Sequence, residues 1–215
     1  MAKITTDKTG RRETKKMVEQ SKLKCDFVQG AVNHRLLFGG GRGQDLPKAV
    51  GMKGGQSPSI IDATAGLGRD AFLLASLGSQ VTLIERSDVI HALLADGINA
   101  ARKAGGRHKE ICDRMTLIHG DSISLLPQMH ADVVVIDPMH PPRQKSALVK
   151  SEMRAIRAIV GVDDDQRRLI ETALAMALKR VVLKWPAKAA PLDGLRQASH
   201  QIIGKSIRYD VFMTG

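Results

Sequence analysis

From residue 59 onward the chain alternates compact apolar runs with longer stretches in which apolar residues recur every three or four positions. The compact runs predict strands at Ser59–Asp62, Gln80–Glu85, Met115–His119, Asp132–Ile136 and Arg180–Lys184. The 3.6-residue period predicts helices between them. One covers Arg69–Leu77 and stops at Gly78, a residue suited to the left-handed position after a helix end. Another opens at the capping residue Ser87 and lines up Ile90, Leu93, Leu94 and Ile98 on one face. Further helices are predicted at Ser122–Met129, Ala147–Ile159 and Asp163–Leu178. The last has acids in its first turn, Lys179 and Arg180 just past its end, and an apolar face of Leu169, Ile170, Ala173, Leu174 and Ala177. The unbroken run up to Ile136 is what a parallel strand buried on both faces requires. The tail, His200–Met213, reads as two strands around a tight Gly204-Lys205-Ser206 turn. The expected fold is therefore α/β: a doubly wound sheet, mostly parallel with an antiparallel C-terminal edge, and with a ligand crevice at the strand C-termini.

The stretch before residue 59 breaks this rhythm. Residues 1–24 are charged and threonine-rich, with weak periodicity, which fits a frayed helix or an arm. Residues 26–55 hold eight glycines among apolar and basic residues. That is too apolar for a linker and too glycine-rich for one long helix, so it reads as an ordered, irregular lead-in. Gln56-Ser57-Pro58 punctuates the chain there, giving a basic, glycine-rich N-terminal extension over 1–55 and a main domain over 56–215. At 215 residues there is room for one α/β domain with a small appendage.

Composition sharpens the partner. Hydrophobic residues make up 43% but aromatics only 3%, so the core must be built from Ile, Leu, Val, Ala and Met. Lys and Arg number 33 against 22 acids, a net charge of +11, with a pI near 10.0. Residues 1–53 alone hold 12 basic residues against 5 acidic ones. A basic lobe beside a neutral core favours a polyanion such as nucleic acid. Cys25 and Cys112 make no CxxC and no metal spacing, as expected of idle thiols in a reducing cytosol. The N-terminus has no apolar signal core and the chain has no run of 18 apolar residues, so the expected location is cytoplasmic, with no membrane partner. The histidines show no ligand spacing, and no metal is assigned.

The candidate chemistry sits at predicted strand ends. In Asp62-Ala63-Thr64-Ala65-Gly66-Leu67-Gly68-Arg69-Asp70, small residues let a ligand approach the backbone, and the helix that follows offers N–H groups. The spacing is not GxGxxG and has no P-loop lysine, which argues against a bound pyrophosphate. It fits a ligand with an amino-acid portion, its carboxylate meeting N–H groups or Arg69 and its ammonium meeting Asp62 or a backbone carbonyl. Glu85, ahead of Arg86, can accept both hydroxyls of a ribose. Asp121, ahead of Ser122, can accept an adenine amine, cap a helix, or do both.

Asp137-Pro138 ends the fourth strand with two acceptors, a carboxylate and the carbonyl before proline. Such a pair can hold an exocyclic aromatic amine and aim its lone pair. A nucleoside-like cofactor beside an amine clamp implies methyl transfer to a nitrogen. Arg143, Lys145, Lys150, Arg154 and Arg157 follow and would border the crevice, where they could grip phosphates. His34-Arg35 and Gly39-Gly40-Gly41-Arg42-Gly43 in the lead-in offer a second basic surface.

Several segments together resemble a known family: DFVQGAVNHRLLFGGGRG, KAVGMKG, DATAGLGRDAF, LIERSDVIHALLADG, LIHGDSISLL, DPMHPPRQKSALVKSEMR and KRVVLKWP, from about Asp26 to Pro186. The chain is similar to the RsmJ (YhiQ) family of small-subunit ribosomal RNA guanine-N2 methyltransferases, within the Rossmann-like class I methyltransferases. The resemblance implies S-adenosyl-L-methionine as cofactor, with S-adenosyl-L-homocysteine as product. It implies cofactor contacts at Arg69-Asp70, Glu85-Arg86, Asp121-Ser122 and Asp137, alongside Asp62 and Gly66 from the residues themselves. The implied substrate is a guanine of small-subunit (16S) ribosomal RNA, naked or in the 30S subunit. The family commonly has Phe after Asp-Pro-Met; here His140 stands in that place, so stacking on the guanine is either weaker or comes from His140 itself. The family also commonly carries a longer N-terminal region. Two other readings stay open: a DNA adenine or cytosine amino-methyltransferase, and a non-catalytic RNA-binding module that keeps the crevice. A nicotinamide dehydrogenase is disfavoured by the missing GxGxxG.

Overall fold

The structure is a computed structural model that describes residues 23–29, 32–35, 41–138 and 165–215. The expected helix at Ala147–Ile159, the arm up to residue 22, and the candidates His140, Arg143, Lys145, Lys150, Arg154 and Arg157 lie outside the described residues. Cys25–Pro138 and Asp163–Gly215 form one compact unit, which is described below.

The elements, in chain order, begin with a short helix α1 (Asp45–Ala49). Then come β1 (Ile60–Asp62), α2 (Arg69–Ser76), β2 (Val81–Glu85), α3 (Asp88–Ala104), α4 (Gly106–Cys112) and β3 (Met115–His119). They are followed by α5 (Ser122–Leu125), which runs into a 3₁₀ turn at Leu126–Gln128, then β4 (Val133–Ile136). The described C-terminal part holds α6 (Gln166–Met176), β5 (Arg180–Pro186), β6 (His200–Ile203) and β7 (Ile207–Met213). Most predicted boundaries agree with these within two residues. The pattern does not announce α1, within the stretch read as irregular, or α4, where Gly105 and Gly106, both at positive φ (76° and 51°), end α3 and start a second helix at once.

The seven strands form one sheet in the order β3-β2-β1-β4-β5-β7-β6. β3 through β5 are parallel, and β7 and β6 close the edge antiparallel. The order runs outward in both directions from between β1 and β4, so the switch point of a doubly wound sheet lies there. β1 and β4 are buried at every position, which is why they read as continuous apolar runs. β3, as an edge strand, is only partly covered.

On one face α6 presses Leu169, Ile170 and Ala173 onto Val134, Ile136, Val181, Leu183, Trp185 and Phe212. The lead-in is tied to the domain through α2 and α3. Phe27 stacks on Phe72 with centroids 4.6 Å apart, and both rings are buried. Burying each ring contributes about 1.5–3 kcal/mol. Cys25 reaches α3 because position 97 is glycine: a Cβ there would stand 2.6 Å from the Cys25 sulfur and 2.9 Å from its carbonyl. Glycine inside a helix costs up to about 1 kcal/mol, and here it permits that close approach.

A candidate active site at the strand tips

The register of the sheet collects the acids. Asp62 of β1 pairs with Leu83 of β2 and Val135 of β4. Glu85 and Asp137 stand two residues further along those strands, so alternation places them on the face that Asp62 shares. Val135 in turn pairs with Val182, which puts Lys184 level with Asp137, and Lys184 pairs with Tyr209 of β7. One face of the C-terminal edge thus carries Glu85, Asp62, Asp137, Lys184 and Tyr209 in spatial order. Neighbouring strands lie about 4.8 Å apart, so Glu85 and Asp137 flank Asp62 at roughly 10 Å from one another, within reach of one nucleoside-sized ligand.

The β1–β2 side is held by backbone. The turn after β1 is anchored where Ala65 N–H donates to Ile84 O and Ala63 N–H donates to Val135 O. Gly66, at φ +53°, donates its N–H to Glu85 Oε2 (2.9 Å), and Ser87 N–H donates to Oε1 (2.8 Å). Burial pushes the Glu85 carboxyl above its ordinary range, and those two N–H donors pull the other way. Gly68, at φ +67°, opens α2; a Cβ there would meet Leu94 at 2.7 Å. Asp62 is 5% exposed. Burial pushes its pKa up to about 7, against the Thr64 N–H it accepts at 3.1 Å, with Asp70 and Asp137 adding to the rise.

The β4–β5 side is held by charge. Lys184 Nζ donates to Asp70 Oδ2 and to Asp137 Oδ2, each at 2.7 Å. Asp70 Oδ1 accepts from Arg35 Nη1 at 2.9 Å, and Arg35 Nε donates to Gln44 Oε1 at 2.8 Å. Burial acts to raise the Asp70 pKa, but Lys184 and Arg35 outweigh it and hold the carboxyl below its ordinary value. Burial likewise opposes the Lys184 charge, and Asp137 with Asp70 overcomes it, so the ammonium titrates well above the usual lysine range. Asp137 N–H donates to Thr64 Oγ1 (2.7 Å), which fixes the backbone at the tip. Burial, with Asp70 next, pushes the Tyr209 phenol up to about 12.

The remaining candidates divide. Asp121 caps α5, accepting from Ile123 N–H at 3.2 Å, while its neighbour Ser122 donates to Ala63 O at 2.6 Å and ties the tip of β3 to that of β1. Arg86 Nη1 pairs with Asp165 at 3.2 Å. Arg69 begins α2, where the first-turn N–H groups have no intrahelical acceptor. Pro138 is buried and Asp137 is exposed at the strand tip. Arg42 lies elsewhere: its guanidinium donates to Gln56 O, Ser57 Oγ and Leu77 O, at the opposite, N-terminal edge of the sheet.

The sequence assigns Lys184, Thr64 and Tyr209 no role, and it places Arg35 on a second basic surface, whereas its guanidinium holds Asp70. Lys184 left one signal, a lone charge inside the apolar run Val181–Trp185, but its partners depend on a register that no local pattern encodes.

The acceptor set fits a ligand with hydroxyls and a cationic end: two buried carboxylates, a backbone turn narrowed by glycine, and a helix N-terminus. The comparisons point the same way. The family described as "Putative SAM-dependent methyltransferase" matches residues 4–214. The chain is similar to the ribosomal RNA small subunit methyltransferase J of Agrobacterium fabrum, 64% identical over 188 residues, covering 87% of this chain and 90% of that protein. It is similar to the protein of the same name from Brucella anthropi, 61% identical over 196 residues, covering 91% and 96%. Among solved structures, a SAM-dependent methyltransferase from Neisseria gonorrhoeae aligns with a TM-score of 0.70 at 35% identity, covering 89% of this chain and 74% of that one.

Proposed function

The chain belongs to the ribosomal RNA small subunit methyltransferase J family of S-adenosylmethionine-dependent methyltransferases, and from that premise we propose that it methylates the exocyclic N2 amine of a guanine in small-subunit (16S) ribosomal RNA. The observation that carries this reading is the single face on which Asp62 and Glu85 stand beside Asp137. The relatives' names and the net charge of +11 support an RNA substrate.

S-adenosylmethionine supplies a methyl group on a sulfonium, activated enough that no strong base has to act before transfer. The protein's part is to bind and align. Glu85 is held by two N–H groups, and each of its oxygens keeps lone-pair capacity for a ribose hydroxyl. Asp62, shielded from water, is placed to accept an ammonium. The Asp137 carboxylate and the carbonyl preceding Pro138 accept the two N–H groups of guanine N2. This turns the nitrogen lone pair out of conjugation with the ring and toward the crevice. Such alignment can supply several kcal/mol. Transfer would break the sulfonium's S–CH3 bond, leaving a neutral thioether, as the N–C bond forms; Asp137 would then take the surplus proton of the nitrogen and pass it to water. A guanine that reaches this depth is unpaired or flipped out of its helix.

The test uses purified protein, labelled cofactor, and small-subunit RNA or 30S particles, followed by nucleoside digestion. N2-methylguanosine is expected, and Asp137→Ala should lower kcat about 100- to 1000-fold. Methylated adenine or cytosine in the digest, or equal labelling by the variant, would overturn the reading.

A further inference from the structure

We propose that Lys184 is a positioning residue for methyl transfer, locking the Asp137 carboxylate in the orientation that receives the acceptor amine. The proposal rests on the reading above, that Asp137 meets that amine. Asp137 is otherwise an exposed residue at the end of a strand, its side chain 44% accessible. A lone carboxylate there would sample several rotamers. Among the described residues, its own N–H on Thr64 Oγ1 fixes the backbone, and Lys184 Nζ on Oδ2 holds the side chain. The lysine is itself restrained. It rises from β5 in register with Asp137, its side chain is 21% exposed, and its ammonium is held by Asp70 Oδ2 at 2.7 Å. Asp70 is held in turn by Arg35, whose Nε is held by Gln44. The result is an alternating chain, Arg35–Asp70–Lys184–Asp137, that runs from the lead-in to the mouth of the crevice.

Stability alone does not account for the last link. Asp70 already gives Lys184 a buried partner, and ion pairs to an exposed carboxylate add little to folding. What the link adds is geometry and charge. Both Asp70 Oδ2 and Asp137 Oδ2 lie within 2.7 Å of one nitrogen, so without the ammonium two carboxylates would face each other. Like charges at that range favour protonation of one of them. Among the described residues, the charged and titratable groups around Asp137 are Asp62, Asp70, Lys184, Arg35 and Tyr209. Lys184 and Arg35 are the cations of that set, and Lys184 forms an ion pair with Asp137.

The experiment compares Lys184→Met, Lys184→Arg and Asp137→Ala with the wild-type protein. It reads kcat and KM on small-subunit RNA across pH, and the cofactor Kd by calorimetry. For Lys184→Met, kcat should fall at least about 30-fold and the acid limb of the kcat profile should move up by about one pH unit or more. Cofactor Kd should change less than about threefold, and Lys184→Arg should restore most of kcat with the acid limb in place. If Lys184→Met does not fold, Lys184→Gln replaces it, with the same shift expected. A neutral variant within twofold of wild type in kcat, beside an inactive Asp137→Ala, would overturn the role of Lys184 and leave the proposed function standing. So would a fall in kcat that leaves the acid limb unmoved. Full activity in Asp137→Ala would instead strike the underlying reading.

Discussion

The two halves of the site are built from different materials. Around β1 and β2 the carboxylate of Glu85 is held by backbone N–H groups from Gly66 and Ser87, residues in the turns that follow each strand. Around β4 and β5 the carboxylates of Asp70 and Asp137 are held by side-chain cations, one from the far side of a strand pair and one from the lead-in. Backbone donors cannot swing away, so under the proposed function the first half would be a preformed socket for the cofactor. An ammonium on a four-carbon stem can follow a carboxylate through a small displacement. On the same reading, the second half would combine order with the compliance needed to admit and release a bulky base.

Glu85→Ala attacks the first half and should have the largest effect on cofactor affinity. It removes the acceptor for two N–H groups and the acceptor proposed for the ribose. Cofactor Kd, read by calorimetry, should rise about 100-fold, the scale of two lost hydrogen bonds to a charged group. At saturating cofactor kcat should stay within about threefold of wild type. Lys184→Met should do the reverse, losing kcat and keeping Kd. If Glu85→Ala keeps its cofactor affinity but loses kcat, the division into a cofactor half and an amine half is wrong.

The same division explains what could be read from the sequence. The cofactor half is local: Asp62 to Asp70 and Glu85 to Ser87 are short segments whose glycines, caps and acids state their geometry directly. The strand order follows from the alternation, and the antiparallel edge from Gly204, whose N–H donates to Ile207 O. The amine half is long-range. Lys184 lies 114 residues from Asp70 and 47 from Asp137, and Arg35 lies 35 from Asp70. Those pairs exist only once β5 has docked on β4 in one register. A sequence can show that Lys184 is out of place in an apolar run, but not which carboxylates it meets.

Asp62 lies between the two halves, and its proton reports on both. Its carboxyl is raised to about 7 by burial, so the folded protein binds this proton more tightly than the unfolded chain. The sign follows: as pH rises from the ordinary carboxylate range through 7, this group lowers stability, and above that its effect is constant. A cation bound beside Asp62 favours the charged form. Cofactor binding near pH 6.5 should therefore release close to one proton, and affinity should fall by up to about tenfold per pH unit below 7. Calorimetry in buffers of different ionisation enthalpy measures the release directly, and Asp62→Asn should abolish it. No proton exchange between pH 6 and 7 would mean that the cationic end of the cofactor lies away from Asp62.

The smallest effect is expected at the opposite edge of the sheet. Arg42 was expected on the RNA surface, yet its guanidinium donates to Gln56 O at 2.6 Å, Leu77 O at 2.9 Å and Ser57 Oγ at 3.0 Å. Leu77 O is one of the carbonyls a helix end leaves without an intrahelical donor, so Arg42 serves as a cap for α2. It also fastens the segment leading into β1, with Ser57 Oγ donating to the same carbonyl at 3.2 Å. Arg42→Ala should cost about 1 kcal/mol in chemical denaturation and leave kcat and the KM for RNA unchanged. A phosphate contact has a different signature: weaker RNA binding, with the slope of log K against log salt reduced by about one. If Arg42→Ala shows that slope change, RNA reaches the N-terminal edge as well as the strand tips. The two edges would then share the work of recognition, rather than one serving structure and the other chemistry.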